Sequence, residues 1–286
     1  MVYPIALRGI GIICRITMTV NTIRYRILCR LLSVAILMAA IPECLASTGA
    51  KLRIALLGDS MTWIGGDSCR NPTGWTCRLR ESGVASRLDV YARSGATWTN
   101  TSRTKIDTEA YSEVLDDDNV IYNQAIRLVT DHSSSGSETP DMIIIFAGAN
   151  DAWFSDRRPG IFDDVAYSVN AGALPSEATT LKSSVALVCD IILNSFPRSK
   201  LIMITPVEMS KVSADAIERV GDIIENTAAG RGITTLRADR GVEIRHAVES
   251  ASPRFTYDGV HTNEAGAALL ADFIIREISC VMERSR

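Results

Sequence analysis

This 286-residue chain could do chemistry with three histidines and with a few serine, aspartate and asparagine residues that end apolar runs. The first such end lies in Arg53-Ile54-Ala55-Leu56-Leu57-Gly58-Asp59-Ser60-Met61-Thr62-Trp63. There an apolar run that reads as a buried strand stops at a glycine and two small polar residues. Groups at the carboxyl edge of an α/β sheet are where sites are built. A serine hydroxyl in such a place is a poor nucleophile at neutral pH and needs a base within hydrogen-bond reach. Taken alone, Gly58-Asp59-Ser60 reads equally as the cap of a following helix. Among the histidines, His132 adjoins a serine-rich stretch and His246 lies in a charged, surface-like segment. His261 instead ends Tyr257-Asp258-Gly259-Val260-His261, just before the last helical pattern. Two further blocks end apolar runs, Ala92-Arg93-Ser94-Gly95-Ala96-Thr97-Trp98 and Phe146-Ala147-Gly148-Ala149-Asn150-Asp151.

Bringing these blocks together requires a frame, and the patterning supplies one. Strand-like apolar runs occur at Leu52 to Leu57, Leu88 to Ala92, Met142 to Ala147, Leu201 to Thr205 and, more weakly, Ile233 to Leu236. Helix-length patterns alternate with them at Gly74 to Leu88, Val120 to Asp131, Glu177 to Phe196, Ala214 to Ala229 and Glu264 to Met282. Strand followed by helix, repeated along one chain, predicts a three-layer, doubly wound α/β fold with a mainly parallel five-stranded sheet. Thr99 to Asn119 and Ser155 to Ser176 are long connections without strong periodicity. Such connections tend to carry binding surface.

Four of these blocks, Gly58-Asp59-Ser60, Gly95, Gly148-x-Asn150-Asp151 and Asp258-x-x-His261, occur in this order and each at an element end. Together they resemble the SGNH (GDSL-type) hydrolases, from about Lys51 to the last helix. The resemblance implies a flavodoxin-like fold and an ester hydrolase without a cofactor. Ser60 would be the nucleophile, His261 its base, and Asp258 the group that holds the ring tautomer. The backbone amides of Ser60 and Gly95 and the side-chain amide of Asn150 would form the oxyanion hole. A glycine at position 95 would leave that donor amide free of a side chain. Asp59 and Asp151 read as structural groups holding turns.

The first 46 residues read as a secretory signal. Arg24, Arg26 and Arg30 precede the apolar run from Leu31 to Ile41, and Cys44-Leu45-Ala46 supplies small residues for cleavage. The stretch before Met18 is long for the leading part of a signal, which makes Met18 an alternative start. Residues 47–286 then form one domain with 25 basic and 32 acidic residues, a net charge near −7 that excludes a polyanion partner such as nucleic acid. The apolar run is short for a membrane span, so no stable insertion is expected once the signal is removed. In an oxidising compartment Cys69 and Cys77 are expected to close the loop between them, while Cys189 and Cys280 read equally as a bridge or as two buried thiols. No metal-site spacing is present, and no metal is expected. The pattern leaves the oligomeric state open.

For the substrate, Trp63, Trp98 and Trp153 lie within three residues of Ser60, Gly95 and Asn150. They read either as aromatic platforms for sugar rings or as core residues beneath the site. With export and an acidic surface, the platform reading points to an exported carbohydrate O-deacetylase acting on an acetylated glycan. The alternatives are a lysophospholipase or general short-chain esterase and, from another class, a glycan-binding module without turnover.

Overall fold

The computed structural model describes residues 51–109, 112–135, 138–164 and 174–283. The secretory leader expected at 1–46 lies outside them. In chain order the elements are β1 (Leu52–Gly58), α1 (Ser60–Trp63), α2 (Trp75–Glu81), β2 (Ala85–Val90), α3 (Ile121–Ser135), β3 (Met142–Phe146), α4 (Ala149–Trp153), α5 (Leu181–Ser195), β4 (Lys200–Ile204), α6 (Ala214–Ala229), β5 (Thr234–Leu236), α7 (Ala238–Gly241), α8 (His246–Ala251) and α9 (Glu264–Glu283). The five strands pair in parallel in the order β2-β1-β3-β4-β5. This is the flavodoxin-like order that the resemblance implied. Its topological switch falls between β1 and β3, whose following loops leave in opposite directions and open a crevice.

From Ile54 in β1 and Leu201 in β4, and throughout β3, the central strands are apolar because both sheet faces are covered. Ala55, Leu57, Ile143, Ile145, Leu201 and Met203 pack in one layer with Ile121 and Leu128 of α3, Val185 and Val188 of α5, and Ile217 and Val220 of α6. Ile54, Leu56, Met142, Ile144, Ile202 and Ile204 pack in the other with Trp75 and Leu79 of α2 and Leu270 and Ile274 of α9. Each such side chain contributes about 1.5–3 kcal/mol on full burial. Among the described residues no helix is long and apolar enough to cross a membrane.

Several boundaries differ from the sequence reading, among them the end of α3, expected at Asp131 and found at Ser135, and β2, expected over Leu88 to Ala92 and found over Ala85–Val90. The helix expected over Gly74 to Leu88 stops at Glu81, because Gly83 turns the chain at φ +75° and β2 begins at Ala85. β2 is an edge strand, with Ser86 and Arg87 exposed, so its pattern is half polar and only its end read as a strand. The helix expected from Glu177 begins at Leu181, where Thr180 Oγ1 accepts the Ser183 N–H at 3.1 Å.

The last block is held by a carboxylate that the sequence did not single out. Glu249 of α8 is 1% exposed and accepts from the N–H groups of Arg254, Phe255 and Thr256 at 3.0–3.2 Å, and from the Thr256 hydroxyl. It thus fixes the backbone that leads into Tyr257–His261. Replacing Glu249 with Gln puts an amide NH2 against these donors and should destabilise the protein by about 1.5–3 kcal/mol. Urea melts would measure this, and an unchanged midpoint would show that the segment is held by packing alone.

Candidate active site

Ser60 opens α1 directly after β1, and Asp59 caps that helix by accepting the Met61 N–H on Oδ1 at 3.0 Å. Asp59 is 1% exposed, and its second oxygen accepts the N–H of Ala149, at the start of α4, at 3.3 Å. One carboxylate therefore joins the turn after β1 to the turn after β3. Beside Ala149, Asn150 sends Nδ2 to the carbonyl of Ala96 at 2.9 Å, which brings the Gly95 turn to the same place. One N–H of that amide remains free for another acceptor. Asp151 completes the junction by accepting from Trp98 N (2.9 Å), Thr99 N (2.9 Å) and Thr99 Oγ1 (2.6 Å). Asp59 and Asp151 thus hold turns, as expected.

Gly95 is a glycine for a reason the sequence did not supply. Its φ is +76°, and a Cβ there would lie 2.5 Å from the backbone carbon of Val114 and 2.7 Å from Leu115 N. Backbone packing, rather than room for a substrate, excludes a side chain. Asn119 secures the contact by donating from Nδ2 to the carbonyls of Ser94 (2.7 Å) and Val114 (2.8 Å).

On the far side, His261 Nδ1 pairs with Asp258 Oδ2 at 2.6 Å, and Asp258 Oδ1 accepts the N–H groups of Val260 (2.9 Å) and His261 (2.7 Å). Burial alone would raise the Asp258 carboxyl, but these hydrogen bonds outweigh it and hold the group below its ordinary range. Among the described residues neither Ser60 Oγ nor His261 Nε2 has a hydrogen-bond partner, a looseness common before substrate is bound. His132 and His246 stand apart, His132 edge-on to Phe196 at 5.3 Å and His246 with Nδ1 on the Met209 carbonyl at 2.8 Å.

The family model for GDSL-like lipases/acylhydrolases matches residues 54–274. The chain belongs to this family. It is an SGNH-type ester hydrolase. Solved structures similar to this GDSL-like acylhydrolase include a Lactobacillus plantarum protein at 16% identity and TM-score 0.54, with 81% of this chain and 99% of that chain covered. Candidate GDSL-like lipases from Bacteroides ovatus (16% identity, TM-score 0.53, 80% and 99% covered) and Bacteroides uniformis (18%, 0.52, 80% and 96%) share the fold as well. No curated protein matches the sequence of the chain.

Of the tryptophans beside the GDSL-type blocks, Trp98 is a correction. It is 0% exposed and packs inside one sheet layer, so it supports the Gly95 turn from below and offers no ring to a sugar. Trp63 is half-buried with the Arg93 guanidinium 4.5 Å over its ring. Trp153, in the helix of Asn150, is 38% exposed and stacks on Phe154 at 5.4 Å. Tyr257, which the sequence reading passed over, is 60% exposed and stacks on His261 at 5.8 Å. The Cys69–Cys77 bridge is not formed here. Both are buried free thiols, and α2 points Cys77 Sγ along its own axis to Glu81 Oε1 at 3.5 Å. Cys189 and Cys280 are also free. Among the described residues no cluster of three or more His, Cys, Asp or Glu side chains could hold a metal ion.

Burial raises the Asp59 carboxyl from the usual 3.8 to about 6, against the opposing hydrogen bonds from Met61 and Ala149. The folded protein therefore binds this proton more tightly than the unfolded chain, and the contribution of Asp59 to stability falls as pH rises through that window. The difference in unfolding free energy between the wild type and Asp59→Asn should shift against the wild type from about pH 4 to about pH 6 and then level off. A difference independent of pH would show that Asp59 ionises in the fold as it does in water.

Proposed function

We propose that this hydrolase is exported and removes small acyl groups, acetyl foremost, from a carbohydrate through an acyl-Ser60 intermediate. The observations that support the mechanism are the 2.6 Å Asp258–His261 pair and, at the ends of the strands, a turn whose Ser60 and amide donors are tied together by Asp59 and Asn150. Ser60 Oγ attacks the ester carbonyl while its proton passes to His261 Nε2. Asp258 holds the Nδ1–H tautomer and stabilises the imidazolium that forms. The N–H groups of Ser60 and Gly95 and the free N–H of Asn150 Nδ2 face the developing oxyanion. As the ester C–O bond breaks, the alcohol leaves with the proton from His261. Water then repeats the sequence on the acyl-enzyme, giving the carboxylic acid and free Ser60.

The carbohydrate reading is supported by the exposed rings of Trp153 and Tyr257, which flank Asn150 and His261 with flat apolar faces of the kind sugar rings use. The acidic balance of the chain, near −7 after the leader, disfavours docking on an anionic lipid surface. A lipid-directed esterase is the second reading, favoured by Val114, an aliphatic side chain 65% exposed beside Gly95. Export rests on the leader alone, and a non-catalytic glycan-binding role is disfavoured because the chain carries every residue type that the chemistry needs.

Ser60→Ala should fold normally and hydrolyse an aryl acetate at no more than about a thousandth of the wild-type rate. Near-normal turnover would end the assignment of Ser60. Trp153→Ala should lower kcat/KM on an acetylated oligosaccharide about five- to thirtyfold while changing an aryl acetate less than about twofold, since only the larger substrate reaches the ring. Equal losses on both substrates with a lower Tm would show that Trp153 is a structural residue, and a preference for long acyl chains over acetate would favour the lipid-directed reading.

A further inference from the structure

Helix α3 carries a buried amide that the reaction does not use. Gln124 is 0% exposed, accepts the Gly58 N–H on Oε1 at 2.8 Å and donates from Nε2 to the Gly58 carbonyl at 2.9 Å. The side chain thus treats the last residue of β1 as a neighbouring strand would, taking both groups of one residue. Gly58 is pressed from the other side as well, since a Cβ there would lie 2.3 Å from the Phe146 carbonyl oxygen. The next residue, Asp59, donates its N–H to that same carbonyl at 3.3 Å. The Gly58 carbonyl also accepts the Arg93 N–H at 3.1 Å, whereas the Gly58 N–H bonds to Gln124, so with the strand ladder ending here Gln124 holds the N–H side of Gly58 two residues ahead of Ser60. An apolar residue in its place would leave a buried backbone N–H without a partner, which costs about 1–3 kcal/mol unless the turn moves to find one. A moved turn carries Ser60 with it.

We propose that Gln124 is a positioning residue, whose carboxamide holds the Gly58 peptide so that the hydroxyl and N–H of Ser60 point at the same carbonyl. It touches neither the substrate nor the reacting atoms. The proposal rests on the assignment of Ser60 as nucleophile. Displacement of reacting groups by about 1 Å costs on the order of a hundredfold in rate, so Gln124→Met should lose about ten- to a hundredfold in kcat with KM within about twofold. Its second-order rate of labelling by a fluorophosphonate probe should fall in parallel.

Gln124→Glu supplies a signature that a purely structural role would not give. A neutral carboxyl copies the amide, with its O–H donating to the Gly58 carbonyl and its carbonyl accepting the Gly58 N–H. An ionised one keeps the second bond and repels the Gly58 carbonyl. The buried charged groups nearest along the chain or through Gly58 are Asp59, next to Gly58, Arg93, whose N–H shares the Gly58 carbonyl, and Arg127, one turn along α3, and full burial favours the neutral acid. Gln124→Glu should work within about fivefold of the wild type while neutral and acquire a descending alkaline limb in kcat that the wild type lacks. A folded Gln124→Met enzyme that turns over and labels at wild-type rates would overturn the proposal. So would a Gln124→Glu profile that superimposes on the wild type, a comparison that decides the matter even where the Met variant does not fold. Wild-type enzyme that resists the probe would instead remove the Ser60 assignment, and this proposal with it.

Discussion

A carboxylate enters a protein interior only where donors face it, and Asp59 finds its two on different parts of the chain, Met61 N and Ala149 N. That requirement couples the ends of β1 and β3 beyond the parallel ladder between them, which stops at the Gly58–Phe146 register. Once the two turns are joined, the positions of Ser60 and Asn150 are no longer independent. Asn150 extends the linkage to Ala96, and Asp151 ties the same helix to Trp98 and Thr99. Three strand ends are therefore registered by side-chain bonds beyond the sheet, on the crevice side where the topology switches.

The long connection after Gly95 shows how an irregular segment is made definite. Its backbone groups cannot satisfy one another in a ladder, so side-chain amides and a guanidinium do so instead. Asn123 Nδ2 donates to the carbonyls of Lys105 (3.0 Å) and Asp118 (2.8 Å). Arg158 reaches Thr97 Oγ1 at 2.8 Å and the carbonyls of Thr99 and Asp116. The result presses Val114 against Gly95 and leaves the Val114 side chain in solvent at the rim. Shape at the site is thus set largely by residues that never meet a substrate.

The two sides of the site differ in burial, and the difference suits their tasks. Asp59 and Gln124 are buried and fixed by two side-chain bonds each and Asn150 by one, which suits the preorganised oxyanion site proposed here. The His261 and Asp258 side chains are more open, 26% and 41% exposed, and are joined by a three-residue turn rather than by the sheet. The base proposed here would gain from that access, while Glu249 keeps the segment before it in place.

The alternation of apolar runs and helical patterns was sufficient to determine a parallel α/β sheet, because strands buried on both faces have to be apolar throughout. The polar blocks ending those runs were equally legible, since nothing in a strand core explains Asp59, Ser60, Asn150 or His261. The frame failed to show where an edge strand or a turn altered the pattern, as at β2 and Gly83. Gln124 and Glu249 were invisible for another reason: in the sequence each is one more polar residue in a helical stretch, and their partners lie 66 residues before the one and 5 to 7 after the other. The three tryptophans could not be sorted by proximity to a motif. Burial separates Trp98 from Trp153, and burial depends on which layers the chain stacks above each ring. Only the folded backbone decides that, because a side chain three residues from a site can face the cleft or the core with no change in sequence distance.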